Sequence, residues 1–310
     1  MSDLFLGKSN RQIPRGTLNY FGEVARCGSV RLAADRLYVA ASAVSRQLAK
    51  LERFIGTPLF ERRADGMYLT DAGTLLADYL SRNDRELDRT LSAIDDLRGL
   101  KTGEVSINTV EGMIDEFLPN VIVKFRERYP GISLRVRIES ALGVIEAVAG
   151  DRADIGVSFN VPPRKNLSIV ARHAQPILVI CGPSHPLARY RKISLNSMAG
   201  HSLALPDASF GIRRLVDDAF GQARLPPQPF LVTNSLLMLK SLAMQGPIVT
   251  LLPNYAVRTE VQRGSLVAVR TDSTILNAAH LDLCVHSAKR QSSSSAEFLS
   301  LIKNELNTLA

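Results

Sequence analysis

Hydrophobic residues in the first 56 positions recur at intervals of three and four, the spacing that places side chains on one face of a helix. The pattern predicts three short helices, interrupted at Gly28-Ser29 and at 38–40 and ended by Gly56. Ser29 is a favourable N-cap for the second helix. The predicted buried positions are Leu18, Phe21, Val24 and Ala25; Val30, Ala33, Ala34 and Leu37; and Val44, Leu48, Leu51 and Ile55.

The third predicted helix carries a polar and basic face opposite its buried stripe. A short helix with paired alanines, a tight connection and a second helix with such a face is typical of a helix-turn-helix, whose second helix enters the major groove. Three ordinary amphipathic helices with solvated charges have the same periodicity, so spacing alone leaves both interpretations open. The residues of the polar face are Ser42, Ser45, Arg46, Lys50 and Arg53.

The segment after Gly56 predicts a small hairpin. Residues 58–63 and 67–70 read as two strands joined by an Asp65-Gly66 turn. Arg62 and Arg63 on such a wing can contact phosphates or the adjacent minor groove.

The blocks GSVRLAADRL, SAVSRQLAKLE, PLFERR and LTDAG, all within 18–73, resemble the LysR-type transcriptional regulators. The resemblance implies that Ser45 and Arg46 contact DNA. The helix departs from the family at its start, where Ala40 and Ala41 replace residues that are usually polar. Because alanine makes no base-edge hydrogen bond, the sequence predicts an operator that deviates in its outer positions. The predicted DNA-binding residues are Ser42, Ser45, Arg46, Gln47, Lys50, Arg62 and Arg63.

Residues 71–100 predict a long linker helix, without proline and with a seven-residue hydrophobic repeat. The family uses this segment for dimerisation, which implies an inverted-repeat operator with half-sites about one turn apart, or a multiple of it. A helix that packs on its own domain is the alternative. The predicted seam consists of Leu76, Leu80, Asn83, Leu87, Thr90, Ile94 and Leu97.

Beyond the break at 101–103, apparent strands alternate with apparent helices, which predicts an α/β domain of parallel sheets with helices on both faces. Strands are predicted within 105–110, 132–138, 153–158 and 177–181, and helices within 115–130, 141–150, 211–222 and 235–246. The resemblance implies a fold like that of periplasmic binding proteins, with two Rossmann-like subdomains and a cleft between them. The predicted domains are a winged helix-turn-helix (1–70), the linker helix (71–100) and an effector domain (101–310), with subdomain I at about 104–170 and 275–310 and subdomain II at about 171–274.

Ligands of such folds bind beyond the carboxyl ends of the strands, which selects the candidate cleft residues. Helix starts there favour a carboxylate. Glu111 and Asp207 are anionic, however, so we expect a zwitterion or an amine-bearing effector. Ile248 stands where relatives commonly have glycine, which alters the predicted pocket shape. The predicted effector-binding residues are Thr109, Glu111, Gly112, Met113, Ser140, Phe159, Asn160, Pro206, Asp207, Ser209 and Asn234.

The charge distribution agrees with a DNA-binding head. The net charge is +8, and residues 1–70 hold eleven Lys/Arg against six Asp/Glu. No apolar run is long enough to span a membrane, and the N-terminus lacks the apolar core of a signal peptide, so we expect a cytoplasmic protein. The three cysteines are expected to be packing thiols, and the five histidines form no metal motif. Neither a cofactor nor a metal is predicted.

Three other classes of protein compete with a regulator. An enzyme is disfavoured because no GxSxG, GxGxxG, P-loop or metal pair is found. A transport solute-binding protein would need an export signal and would not use the head. An effector-blind, nucleoid-like DNA binder stays open. For a regulator, the expected partners are double-stranded DNA, a small metabolite, further copies of the chain as a dimer or tetramer, and RNA polymerase.

Overall fold

The computed structural model describes residues 15–97, 102–198 and 200–309. The chain divides into two compact units, Met1–Leu87 and Asp88–Ala310. The dividing point falls inside the long helix and not at residue 70 or 100, so the three-part division stays a prediction. Residues 1–14 and 98–101 lie outside the described residues, and with them the last residues of the predicted linker helix and the start of the predicted break at 101–103. Within the described ranges, no helix combines the length and apolarity that a membrane span requires.

The three helices predicted for the head are present. The amide of Leu32 donates to the Ser29 side chain at 3.4 Å, which confirms the predicted N-cap. Gly56 has a φ of 87°, a left-handed conformation that ends the third helix. Ala40 precedes that helix and makes no side-chain capping bond. The helices are α1 (Arg15–Cys27), α2 (Val30–Arg36) and α3 (Ala41–Ile55).

The head has its own hydrophobic core. Ala33 and Ala34 are fully buried, and their small side chains let α2 approach α3 closely. Phe21 and Phe60 lie 5.2 Å apart between ring centroids. The carboxylate of Glu52 in α3 accepts the amide of Leu59 at 2.8 Å, which attaches the start of the wing to α3.

The wing consists of β1 (Phe60–Arg63) and β2 (Gly66–Leu69), paired antiparallel. The predicted turn is wrong by one residue, because Arg63 pairs with Gly66 and the two loop residues are therefore Ala64 and Asp65. Gly66 instead opens β2 with a φ of 154°, a backbone conformation that favours glycine.

The long helix α4 (Asp71–Leu97) begins at a close contact. A Cβ placed on Gly73 would lie 2.0 Å from the carbonyl oxygen of Leu59. The LTDAG block therefore needs glycine at this position for close approach of the two backbones.

Gly73→Ala should destabilise the head, because the contact is with backbone and cannot be relieved by a side-chain rotation. A close contact of this kind costs about 1–3 kcal/mol or more. This cost outweighs the advantage of about 1 kcal/mol that alanine has over glycine in a helix. Gly22→Ala in α1 is the matched control, since its Cβ would meet only Leu80 Cδ1 at 3.8 Å. Thermal unfolding followed by circular dichroism compares the two. Equal melting temperatures would contradict the prediction.

The second unit contains eleven strands and seven α-helices among its described residues, besides the end of α4. The helices are α5 (Phe117–Arg128), α6 (Ala141–Ala149), α7 (Gly211–Gln222), α8 (Leu236–Gln245), α9 (Arg258–Gln262), α10 (Thr274–Asn277) and α11 (Ser293–Leu306). The strands are β3 (Gly103–Thr109), β4 (Ile132–Ile138), β5 (Ile155–Phe159), β6 (Leu167–Ala174), β7 (Ile177–Cys181), β8 (Lys192–Ile193), β9 (Ser202–Pro206), β10 (Leu231–Thr233), β11 (Ile248–Pro253), β12 (Val267–Thr271) and β13 (His280–His286).

These strands form two sheets, ordered β4-β3-β5-β13-β6 and β10-β9-β11-β7-β12-β8. The predicted α/β class with two subdomains is confirmed, but the prediction of parallel sheets is wrong. Strand β13 runs antiparallel to β5 and β6, and β7 runs antiparallel to β11 and β12. Both sheets are therefore mixed.

The chain crosses twice between the sheets, at 175–176 and at 272–279. Because β6 extends to Ala174, the first crossing lies beyond the predicted boundary at 170. The two crossings are hydrogen-bonded to each other, since the amide of Gln175 donates to the carbonyl of Ala279 at 2.8 Å. We call β3–β6, β13, α5, α6 and α11 subdomain I, and β7–β12 with α7–α10 subdomain II.

Candidate functional site

The outer face of α3 presents most of the predicted DNA-binding residues. Ser42, Arg46 and Lys50 are exposed, and Ser45 is half-buried. Gln47 is also half-buried, and its side-chain oxygen accepts the hydroxyl of the buried Thr17 at 3.2 Å. Gln47 therefore retains only its amide donors for a further partner.

The two wing arginines differ in their surroundings. Both are exposed. Arg63 donates to Glu61 at 3.0 Å and lies over the ring of Tyr68, 4.5 Å from its centroid. The hydrogen bond and charge of Glu61 raise the pKa of Arg63. Arg63 must therefore be shared between these neighbours and a phosphate, whereas Arg62, next to it in β1, projects to the opposite side of the strand.

Tyr38 is a surface residue outside the predicted site, since it lies in the predicted connection at 38–40. It lies in the turn between α2 and α3, is 95% exposed and has a φ of 55°. A tyrosine without burial beside the polar face of α3 is available to a ligand of that face. The signal in the sequence was an aromatic residue at a turn, where packing does not require one.

Helix α4 carries an exposed apolar stripe that differs from the predicted seam. Leu76 and Leu80 pack against the head core, so the alternative of packing on its own domain holds for them. Asn83 and Thr90 are exposed, and the side chain of Leu97 lies outside the described part. The exposed apolar residues of α4 are Leu75 (71%), Tyr79 (51%), Leu87 (56%), Leu91 (51%) and Ile94 (47%).

In the second unit, the candidate cleft residues of the first strand follow β3. The hydroxyl of Thr109 is fully buried and has no hydrogen-bond partner among the described residues. Glu111, Gly112 and Met113 form a short 3₁₀ turn. Gly112 lies against the ring of Tyr255 in subdomain II, where an added Cβ would come within 2.7 Å of a ring carbon. Met113 is buried in the core.

Residues at the ends of β4 and β5 complete the wall in subdomain I. Ser140 caps α6 by accepting the amide of Gly143 at 3.0 Å. Phe159 is buried, 6.2 Å from Tyr255 between ring centroids. Asn160 has a φ of 50° and accepts the amide of His280 at 2.8 Å. This hydrogen bond joins Asn160 to β13, the strand that follows the second crossing between the sheets, and we call the two crossings the hinge.

The opposite wall uses its polar groups internally. Pro206 ends β9, and its carbonyl accepts Arg213 Nη1 at 3.1 Å. The carboxylate of Asp207 accepts the amide of Ser209 at 2.9 Å and also its hydroxyl. Asn234 is exposed before α8. Asp207 is therefore engaged within its own turn.

Three contacts bring the walls together. The amide of Ala141 donates to the carbonyl of Ser209 at 3.3 Å. A Cβ on Gly211 would lie 2.9 Å from the carbonyl oxygen of Phe159. The amide of Leu236 donates to Glu111 at 3.0 Å. The predicted residues are thus brought together, but the two walls touch there, and the starts of α6 and α8 are occupied by the chain's own acceptors.

Lys240 is a buried cation that is not among the predicted site residues. It lies in α8, is 3% exposed, and contacts Asp115 of subdomain I and, at 2.8 Å, Glu260 of subdomain II. Burial alone would lower the pKa of Lys240, but the hydrogen bonds to Asp115 and Glu260 outweigh it, and the pKa is raised. A lysine inside the largely apolar run 236–243 was the available signal.

Arg89 near the end of α4 is a second missed group. It donates to Asp151 at 2.7 Å and to Asp154 at 2.9 Å, and Asp154 also accepts the amide of Ser106 at 2.9 Å. The side chains of both aspartates are nearly buried. Arg89 therefore fixes the last turns of α4 to the edge of subdomain I opposite the cleft.

A cavity of about 560 Å³ opens in subdomain II, away from the predicted cleft. Its wall includes His201, whose ring lies 4.9 Å from that of the buried His185. None of the predicted effector residues lines it. The apolar lining residues are Leu195, Met198, Leu203, Phe220, Leu225, Pro226 and Pro227.

All three cysteines are free thiols. Cys181 and Cys284 are fully buried, and burial raises their pKa values to about 11 and about 12. Thiols with such pKa values are not nucleophilic near neutral pH. The described residues include no group of His, Cys, Asp and Glu that could hold a metal ion.

Comparisons with known proteins agree with this architecture. A family model described as "Bacterial regulatory helix-turn-helix protein, lysR family" matches residues 16–74, and one described as "LysR substrate binding domain" matches residues 98–307. The chain is 31% identical over 251 residues to the HTH-type transcriptional activator CmpR of Synechocystis sp., covering 80% of this chain and 82% of the relative. It is also 31% identical over 207 residues to the RuBisCO operon transcriptional regulator of Allochromatium vinosum, covering 66% and 68%.

Two solved structures illustrate the shared fold. CbnR, a LysR family transcriptional regulator, has a TM-score of 0.67 at 21% identity, over 95% of this chain and 99% of its own. A variant of full-length OxyR from Pseudomonas aeruginosa has a TM-score of 0.69 at 16% identity, over 96% and 97%. At these identities the likeness establishes the fold alone.

Proposed function

The chain belongs to the LysR family of bacterial transcriptional regulators, and on this premise we propose that it binds an inverted-repeat operator as a dimer or tetramer and responds to a small molecule in the cleft of its effector domain. The observation that carries the DNA-binding part is the exposed polar face of α3, with Ser42, Arg46 and Lys50, in the same unit as the exposed wing arginine Arg62. An exposed first half of a recognition helix is what major-groove reading requires.

Self-association is the second part of the proposal. The stripe Leu75, Tyr79, Leu87, Leu91 and Ile94 repeats every three or four residues, apart from the polar interval at 82–83. Exposed apolar side chains at this spacing favour pairing with a second copy of α4. Dimers formed in this way pair further through their effector domains. Two pairs of heads then bind separated half-sites and bend the DNA between them. The protein acts in the cytoplasm, and its further partner is RNA polymerase.

The effector is a small molecule that binds where the carboxyl ends of β3 and β5 face α7 and α8. Its predicted ligands stay Thr109, Glu111, Gly112, Met113, Ser140, Phe159, Asn160, Pro206, Asp207, Ser209 and Asn234. The expectation of a zwitterion or an amine-bearing effector stays a prediction, although Glu111 and Asp207 already accept hydrogen bonds from the chain. Closure of the cleft by the effector shifts the geometry of the tetramer and therefore the bend.

Selection of binding sites from random DNA by the full-length chain tests the proposal. We expect an inverted repeat whose outer positions deviate from the usual family site, because Ala40 and Ala41 begin the recognition segment. Affinity should fall steeply with salt. Selection without sequence enrichment would favour the nucleoid-like alternative. A monomeric mass at micromolar concentration would contradict the association.

A further inference from the structure

The start of α8 is occupied by a carboxylate of the protein itself. Leu236, the first residue of α8, donates its amide to Glu111 Oε1 at 3.0 Å, although the two residues are 125 positions apart. The amide of Met238 donates to the capping side chain of Ser235 at 3.3 Å. Glu111 belongs to subdomain I and α8 to subdomain II. The hydrogen bond to Glu111 therefore bridges the cleft at a helix N-terminus, the position that favours an anion.

Two further acidic residues of the same short segment also reach subdomain II. Asp115 pairs with Lys240, which lies one turn further along α8 than Leu236. Glu116 accepts the hydroxyl of Thr259 in α9 at 2.8 Å. Segment 111–116 thus contributes three carboxylates to subdomain II at successive points. Lys240 is buried and also pairs with Glu260 of its own subdomain, so its charge stays balanced if the contact with Asp115 is broken.

We propose that Glu111 is a tethered anion that takes the place of an effector carboxylate at α8 and holds the two subdomains together without a ligand. This inference rests on the proposed function in taking the cleft as the effector site. A tethered carboxylate is present at a high effective concentration, so a free carboxylate must displace it before it can bind the same amides. The wild-type cleft therefore excludes a carboxylate at α8.

A polar group close to Glu111 in the chain is left without a partner. The hydroxyl of Thr109, two residues before Glu111, is fully buried and has no partner among the residues that the structure describes. A buried hydroxyl without a partner costs free energy that a bound polar group would recover.

Distance measurements between spin labels in the full-length protein test the tethered anion. Labels at Lys165→Cys in subdomain I and Gln222→Cys in subdomain II use exposed positions, one in each subdomain. A Cys27→Ser background removes the half-buried thiol, and Cys181 and Cys284 are fully buried. With doubly labelled chains diluted into an excess of unlabelled chains, the wild-type sequence at Glu111 should give one short distance that sodium acetate does not change. Glu111→Ala should shift the distances to longer values, and acetate should restore the short distance.

Two controls separate this role from ordinary capping or salt effects. Sodium chloride at equal ionic strength should not restore the short distance. Glu104→Ala removes an exposed ion pair with Arg135 inside subdomain I and should leave the distances unchanged. The melting temperature of Glu111→Ala should fall by about 2–4 °C and recover with acetate but not with chloride.

The inference is overturned if Glu111→Ala keeps the short distance, or if acetate changes the wild-type distances as it changes those of the variant. A mobility-shift assay with operator DNA on the same labelled proteins keeps the two hypotheses apart. If the labelled protein that retains Glu111 does not bind operator DNA, the proposed function is contradicted. The label distances test the tethered anion independently of that result.

Discussion

Asp282→Ala is expected to lower the free energy of unfolding of the effector domain by about 3–5 kcal/mol, because it removes several hydrogen bonds to a charged group at once and leaves the buried amide of Val161 without an acceptor. Asp282 lies in β13 and is fully buried. Its carboxylate accepts Arg172 Nε at 2.7 Å and the amide of Val161 at 2.9 Å, and His280 Nε2 lies 3.2 Å away. The substitution therefore leaves several donors without their acceptor.

The position of Asp282 explains why removing its carboxylate should destabilise the domain more than removing a surface ion pair. Strand β13 lies between β5 and β6, and Asp282 is paired with Ser158 on one side and Arg172 on the other. The amide of Val161 follows β5, so the carboxylate joins three strands near the hinge. Arg172 is itself half-exposed and can recover water contacts, so Arg172→Gln should cost less than Asp282→Ala.

Chemical unfolding followed by circular dichroism measures both variants. Asp282→Asn keeps the shape and one acceptor, and we expect a loss between those of the other two variants. Asp272→Ala removes an exposed aspartate near the same hinge and should change stability by less than about 0.5 kcal/mol. A loss of similar size at Asp272 and Asp282 would show that the hydrogen bonds of Asp282 add little.

The head could be predicted almost completely from the sequence because its determinants are local. The spacing of Val44, Leu48 and Leu51 defines α3, and Ser29 and Gly56 mark helix ends through their own conformations. The predicted position of the wing turn was wrong by one residue, because Asp-Gly is a frequent turn pair and was assigned to the loop. In the structure Arg63 pairs with Gly66, so the loop residues are Ala64 and Asp65.

The effector domain was less predictable because its sheets depend on contacts between distant segments. β13 pairs with β5 across more than 100 residues, and no local pattern states that the pairing is antiparallel. The hydrogen-bond partners of the cleft residues could not be predicted for the same reason. Glu111 and Asp207 look like free anions in the sequence, but the donor to Glu111 is the amide of Leu236. Lys240 could be interpreted only once Asp115 and Glu260 were placed beside it.

The DNA-binding face gives the second large expected effect. Arg46→Ala should weaken binding to the selected operator by about 5- to 150-fold, the equivalent of about 1–3 kcal/mol for loss of one base contact. Arg46 is exposed on α3, and Ala40 and Ala41 before it cannot hydrogen-bond to a base edge. The remaining polar side chains of the face must then provide a larger share of the discrimination.

Arg53→Ala is the matched control for Arg46→Ala, because it removes the same charge from the same helix. Arg53 is exposed in the last turn of α3, where its Nε donates to the carbonyl of Ala49 at 3.2 Å. Fluorescence anisotropy with operator and scrambled duplexes at several salt concentrations separates the two contributions. If Arg46 reads a base, its loss reduces the preference for the operator, whereas a phosphate contact would weaken both duplexes equally and lower the salt dependence by about one ion. Equal losses for Arg46→Ala and Arg53→Ala on both duplexes would mean that the face attracts DNA by charge alone, and base reading would then have to come from Ser42, Ser45 or the wing.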